Sequence, residues 1–202
     1  MADRYPYYDV LAKRDTLSWN PVTRKVIAER LATAEPDTLP PERRATLRRL
    51  VDRITPQPEG RPPVNTTALL LHRIMANRPE GFRHHRLPSL REAWIIGLVA
   101  IDAEAQARHG QPFALLSDRE ADDLLRAIEA GETQADAWKA FPATLFWSWR
   151  LIPDIVSAYY AHPSAWSAMG FGGPASPRGY VRLLANRRDP WEAREDGNHH
   201  GA

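Results

Sequence analysis

The chain has 202 residues, 43% hydrophobic and 26% charged, with 27 basic against 25 acidic side chains and a net charge of +2. A chain of this length buries roughly 70% of its unfolded surface, so it can build a core without a metal or disulfide. Having no cysteine, it can hold no disulfide, thiolate nucleophile, Cys-ligated iron–sulfur cluster or c-type haem; acidic residues interleaved with the basic ones set nucleic-acid binding aside.

Asn20-Pro21 is a strong helix start, a capping residue before proline at the first helical position. Val22, Val26, Ile27 and Leu31 then recur at helical spacing, which predicts a helix over 21–33 with these four on one face. Pro40-Pro41 opens a second, with Leu47, Leu50, Val51 and Ile54 on one side and Arg43, Arg44, Arg48 and Arg49 on the other. Residues 55–63 hold four prolines and a glycine and must be an extended connector. Asn65 is the expected cap of a helix to Met75, and Asn77 to Gly81 breaks the chain again.

The longest predicted helix runs from Pro88 to about Arg108, with Leu90, Ala93, Trp94, Gly97, Leu98 and Ile101 on one face and Gly110 as its stop. Ser117 and Glu120 have the spacing of a capping box for a helix ending at Gly131. From Asp136 to Tyr160 the chain is apolar and aromatic with Pro142 and Pro153 inside, which predicts helical pieces kinked at those prolines. Phe171 to Tyr180, with three glycines and two prolines, reads as a specified loop. The expected fold is all-α: a single-domain helical bundle over 1–195 with Pro-kinked helices, an ordered Gly/Pro-rich carboxyl-terminal loop and a flexible tail, 196–202.

Sites of chemistry are scarce. No Gly-x-Gly-x-x-Gly or Gly-x-x-x-x-Gly-Lys-Ser/Thr run occurs to bring backbone against a pyrophosphate or phosphate. The seven histidines have no zinc-ligand spacing; His84-His85 and His199-His200 read as exposed loop residues, and His109 before Gly110 suits a helix carboxyl end. Asp102 with Glu104, and Asp118, Glu120, Asp122 and Asp123, could be paired as acid and base, but the second set fits a helix amino end, where carboxylates meet the dipole. The expectation is no catalytic residue, no metal site and no cofactor-binding site in this chain. The longest apolar run, Ala93 to Ile101, falls short of the ~20 residues of a membrane span. Met1-Ala-Asp-Arg-Tyr-Pro carries no legible secretory signal, so the expected location is cytoplasmic as synthesised, and periplasmic only through export with a partner.

One stretch is distinctive: Tyr159-Tyr160-Ala-His162-Pro-Ser-Ala-Trp166, then Phe171-Gly172-Gly173-Pro174, Pro177-Arg178-Gly-Tyr180 and Asp189-Pro-Trp191-Glu192. It closely resembles the gluconate 2-dehydrogenase subunit 3 family, as do Tyr8 to Asn20, Thr23 to Ile27 and Leu50 to Pro56. The resemblance implies a mostly helical accessory subunit pairing with a GMC-type FAD-dependent large subunit that oxidises a sugar, sugar acid or polyol. A c-type cytochrome is often a third component of such complexes. FAD and the chemistry would then belong to the large subunit.

The loop also has a physical reading. Gly172 and Gly173 allow backbone angles closed to other residues, Pro174 and Pro177 stiffen the flanks, and aromatic anchors have little rotamer freedom to lose. Aromatics and arginine are enriched at the centres of interfaces. The expected partner-binding residues are Tyr159, Tyr160, His162, Trp166, Phe171, Gly172, Gly173, Pro174, Arg178, Tyr180 and Trp191. A loop that merely closes the domain's last helices, a stand-alone helical enzyme and a transient chaperone for the flavoprotein stay open as alternatives.

Overall fold

The helix starts written in the sequence are the starts the chain uses. In the computed structural model, which describes residues 3–78, 83–180, 183 and 188–196, the helices are α1 (Pro21–Ala32), α2 (Pro41–Ile54), α3 (Thr66–Ala76), α4 (Leu90–His109), α5 (Asp118–Ala130), α6 (Ala143–Phe146), α7 (Ile152–Tyr159) and α8 (Pro163–Ala168). No strand forms among the described residues; one isolated parallel bridge pairs Trp19 with Ser176. The fold is all-α, as the sequence predicts. It divides into two compact units, Ala34–Pro56 with Thr66–Ala158, and Met1–Thr33 with Gln57–Asn65 and Tyr159–Ala202. The second half of the Asn77–Gly81 break and nearly all of the 196–202 tail lie outside the described residues.

The larger unit is built around α4. Every apolar position predicted for its inner face, Leu90, Ala93, Trp94, Gly97, Leu98 and Ile101, is buried, packed with Leu47 and Leu50 of α2, Leu70, Leu71 and Ile74 of α3, and Leu124 and Ile128 of α5. Gly97 is needed for close approach: a Cβ there would sit 2.3 Å from Cζ of Phe146. Gly110 and Gly131 stop α4 and α5 in the left-handed region at φ +70° and +77°, where a side chain would be strained. The Ser117–Glu120 capping box forms in both directions. The arginine side of α2 is also matched: Arg48 grips both carboxylate oxygens of Glu35, Arg49 reaches Asp118, and Arg53 bridges Asp118 and Asp122.

Two expectations here need correction. Pro142 does not kink a helix; it stands at the amino-terminal cap of the short α6 after a 3-10 turn over Asp136–Ala140. Pro153 follows a π-helical turn, Trp147–Leu151, whose last amide bond runs from Ile152 to the Trp147 carbonyl. Proline donates no hydrogen bond and its ring collides with the carbonyl four residues back, so the widened turn absorbs what would otherwise be a kink.

In the smaller unit Asn20 caps α1, its side chain accepting the Thr23 amide at 2.8 Å. The apolar row of α1 is only partly covered, however. Only Ile27 is buried; Val22 is 70%, Val26 38% and Leu31 42% exposed. The local core is small, Val10, Trp19, Ile27 and Trp166, and accommodates one row of α1 instead of a full stripe. Asn65 does not act as a cap either: its amide nitrogen donates to the Arg30 and Thr33 carbonyls, and its Oδ1 has no hydrogen bond. The proline-rich connector is held by Arg61, which pairs with Asp3 at 2.6 Å and donates to the Tyr5 and Tyr8 carbonyls.

A cationic cleft and an apolar groove in the smaller unit

The Gly/Pro loop runs beside the amino-terminal segment. The Ser176 amide donates to the Ser18 carbonyl at 2.9 Å and the Arg178 amide to the Leu17 carbonyl at 3.0 Å. Arg178 is thereby fixed at its base, and its side chain is fixed as well: Nε donates to Ser18 Oγ at 3.0 Å, and the guanidinium carbon lies 4.4 Å from the centre of the Trp191 ring. Gly173 adopts φ +65°, and a Cβ there would meet Val10 Cγ2 at 2.8 Å; both facts require glycine.

Lys13, at the end of the 3-10 turn Val10–Lys13, is 5% exposed. Its ammonium donates to Tyr8 Oη at 2.7 Å and to the Gly172 carbonyl at 3.0 Å. Burial first, and the Arg178 charge second, pull its pKa down to about 8, against an opposing effect of Glu192. Burial pushes the Tyr8 phenol up to about 12, so Tyr8 stays neutral, accepting from Lys13 and donating to the Phe171 carbonyl at 3.3 Å. Lys13, Arg178, Arg188, Trp191, Tyr5 and Tyr180, with the bare backbone of Gly172 and Gly173, border a cleft of about 340 Å³.

Of the residues predicted to meet a partner, Tyr160, Phe171 and Tyr180 are exposed, and Tyr159, Gly172, Pro174, Arg178 and Trp191 are partly so. His162, Trp166 and Gly173 are buried and serve the unit itself. His162 Nδ1 accepts the Ser164 amide at 3.1 Å and caps α8; Trp166 donates to the Tyr160 carbonyl at 2.5 Å and packs edge-on to Phe171. Sequence reasoning missed Lys13, Tyr5, Tyr8 and Arg188. Lys13 carried a faint signal, being one of three lysines beside 24 arginines, but nothing in its spacing pointed to residue 178.

A second concavity, about 520 Å³, lies along α1 and is lined by Leu11, Trp19, Ile27, Ala28 and Leu31 between Arg14 and Arg24. Trp19 is 2% exposed, and its indole N–H has no acceptor. Among the described residues, ten of the twelve large hydrophobic side chains left exposed belong to this unit, and Val99 and Leu115 to the other.

The carboxylates considered for acid–base work are held by their own surroundings. Asp102 accepts from Thr46 Oγ1 and the Phe113 amide, with burial raising its pKa. Glu104, fully buried, accepts from the Gln134 and Ala135 amides and pairs with Arg108 at 2.7 Å; burial acts to raise its pKa, but these bonds together hold it low. Asp118 and Asp122 pair with the α2 arginines. No group of three or more His, Asp or Glu side chains among the described residues could hold a metal ion, and no described helix is long and apolar enough to cross a membrane.

Fold and site define a helical protein whose smaller unit carries a cationic cleft and an apolar groove. The chain belongs to the gluconate 2-dehydrogenase subunit 3 family, whose model matches residues 41–173. The match takes in the larger unit from α2 onward and runs to Gly173; the amino-terminal segment and Pro174 to Tyr180 lie outside it. No curated protein and no solved structure matches the chain.

Proposed function

We propose that this chain is the small, non-catalytic subunit of a GMC-type, FAD-dependent dehydrogenase acting on a sugar, sugar acid or polyol, and that it binds and stabilises the large subunit during folding, assembly or maturation. The observation that carries the reading is membership of a family described as a subunit of gluconate 2-dehydrogenase. Physical support comes from the smaller unit. Exposed Val22, Val26 and Leu31 beside an apolar groove form a face that gains from being covered. FAD and the oxidation then reside in the large subunit, with a c-type cytochrome as a further acceptor of electrons. The chain is placed in the cytoplasm as synthesised, and in the periplasm only where the partner carries it there.

Co-expression with a GMC-type flavoprotein tests the proposal. The two chains should co-purify stoichiometrically, and the chain by itself should be colourless and without dehydrogenase activity. Flavin retained by the isolated chain, or turnover by it, overturns the reading.

A further inference from the structure

We propose that the cleft bordered by Lys13, Arg178 and Trp191 is a binding site for a carboxylate. Among the described residues neither Lys13 nor Arg178 forms an ion pair; their polar contacts are Tyr8 Oη, the Gly172 carbonyl and Ser18 Oγ. A buried ammonium with only neutral acceptors, next to a second cation, is a costly arrangement that an anion relieves. Arg188 already engages Glu195 at 3.9 Å and the Ala193 carbonyl, and among the described residues Glu192 is the one carboxylate on the cleft wall. The lining thus carries three positive side chains against one negative.

The donors suit a carboxylate in particular. An ammonium has three protons, and two of those of Lys13 are engaged. Arg178 uses only Nε, leaving both terminal nitrogens of the fork for two carboxylate oxygens. Its position is set beforehand by the backbone bond to Leu17, by Ser18 and by the Trp191 ring, so little freedom is lost on binding. Absence of a side chain at Gly172 leaves the approach to Lys13 open, since a Cβ there would stand 3.7 Å from Lys13 Nζ. The cleft, about 340 Å³, is in the range of small-molecule sites.

The carboxylate can come from a free metabolite or from an acidic residue of the partner protein. Titration calorimetry of the full chain with citrate, acetate and inorganic phosphate at constant ionic strength separates these sources. Single-site, saturable citrate binding, weakened about tenfold by Arg178→Lys and lost in Lys13→Met, establishes a small-molecule site. Arg178→Lys keeps the charge and removes the fork, and unchanged circular dichroism shows that it folds. Binding at pH 8.5 should take up protons from the buffer, because an anion beside Lys13 restores its charge against Arg178 and burial; Tyr8 and Glu192 are the other groups beside it. If citrate does not bind but Arg178→Lys weakens co-purification with the flavoprotein, the carboxylate is the partner's, and this arm alone rests on the accessory-subunit reading. Phosphate binding tighter than citrate overturns the assignment, as does indifference of both citrate binding and complex formation to the two substitutions.

Discussion

The Trp94 indole donates its N–H to Asp154 Oδ2 across 2.8 Å, joining α4 to α7 inside the larger unit. Arg150 and Arg73 approach the same carboxylate at 3.6 and 3.5 Å, and Asp154 is 1% exposed. Asp154→Ala leaves the buried indole without its acceptor and takes a buried carboxylate away from two arginines, and should cost about 3 kcal/mol. Trp94→Phe leaves the carboxylate its arginines and should cost about 1–2 kcal/mol. Urea denaturation of the two variants checks the order; equal losses would mean that the indole, not the charge, dominates.

Gly97→Ala pits two effects against each other. Alanine gains about 1 kcal/mol of helix propensity, but its Cβ would lie 2.3 Å from the Phe146 ring, and overpacking costs about 1–3 kcal/mol. The collision is with the body of a buried aromatic, so destabilisation should win. The double variant Gly97→Ala with Phe146→Leu should recover part of the loss, read as the thermal midpoint of each protein.

His162 makes the smaller unit sensitive to acid. Burial lowers its pKa from 6.5, and its Nδ1 must be unprotonated to accept the Ser164 amide. The unfolded chain therefore takes up the proton first, so the contribution is fully present above pH 6.5 and is lost as pH falls below it. His162→Asn keeps an acceptor at the cap and should flatten that part of the stability–pH curve, measured by denaturation between pH 5 and 8. An unchanged slope would place the acid sensitivity elsewhere.

On α1, Val26→Asp and Leu31→Asp alter exposed side chains and should leave stability within about 0.5 kcal/mol. Under the proposed function each should weaken the complex with the flavoprotein at least tenfold, an effect read by co-purification and by analytical ultracentrifugation. Arg119→Asp, at an exposed position of α5 in the larger unit, is the control and should leave the complex intact.

Local rules account for most of the helix boundaries. Asn20-Pro21, the Ser117–Glu120 box, Gly110 and Gly131 each act within one turn of chain, so the residues that decide the outcome are adjacent in sequence. The inner face of α4 was equally legible, because a helix long enough to cross the whole unit must bury whatever apolar row it has. The role of Asn65 and the packing of α1 escape such rules for the converse reason. Asn65 is a good cap by type, but its side-chain nitrogen donates to the Arg30 and Thr33 carbonyls more than thirty positions away. α1 has a regular apolar row, but in a unit whose buried apolar core is four side chains the described residues leave the rest of it exposed. Among the loop residues, type alone could not separate Tyr180, which faces solvent, from Trp166, which fills the interior.

The sequence by itself determined that the protein is all-helical, where its main helices begin and end, and the family to which it belongs. These follow from propensities, caps and residue order that act over a few positions. Only the tertiary structure decided that Lys13 lies beside Arg178 and that α1 keeps three apolar side chains in solvent. The reason is physical: pairing residues 165 positions apart depends on how the amino-terminal segment and the Gly/Pro loop add backbone to backbone at Leu17, Ser18, Ser176 and Arg178, and no local pattern encodes such a register.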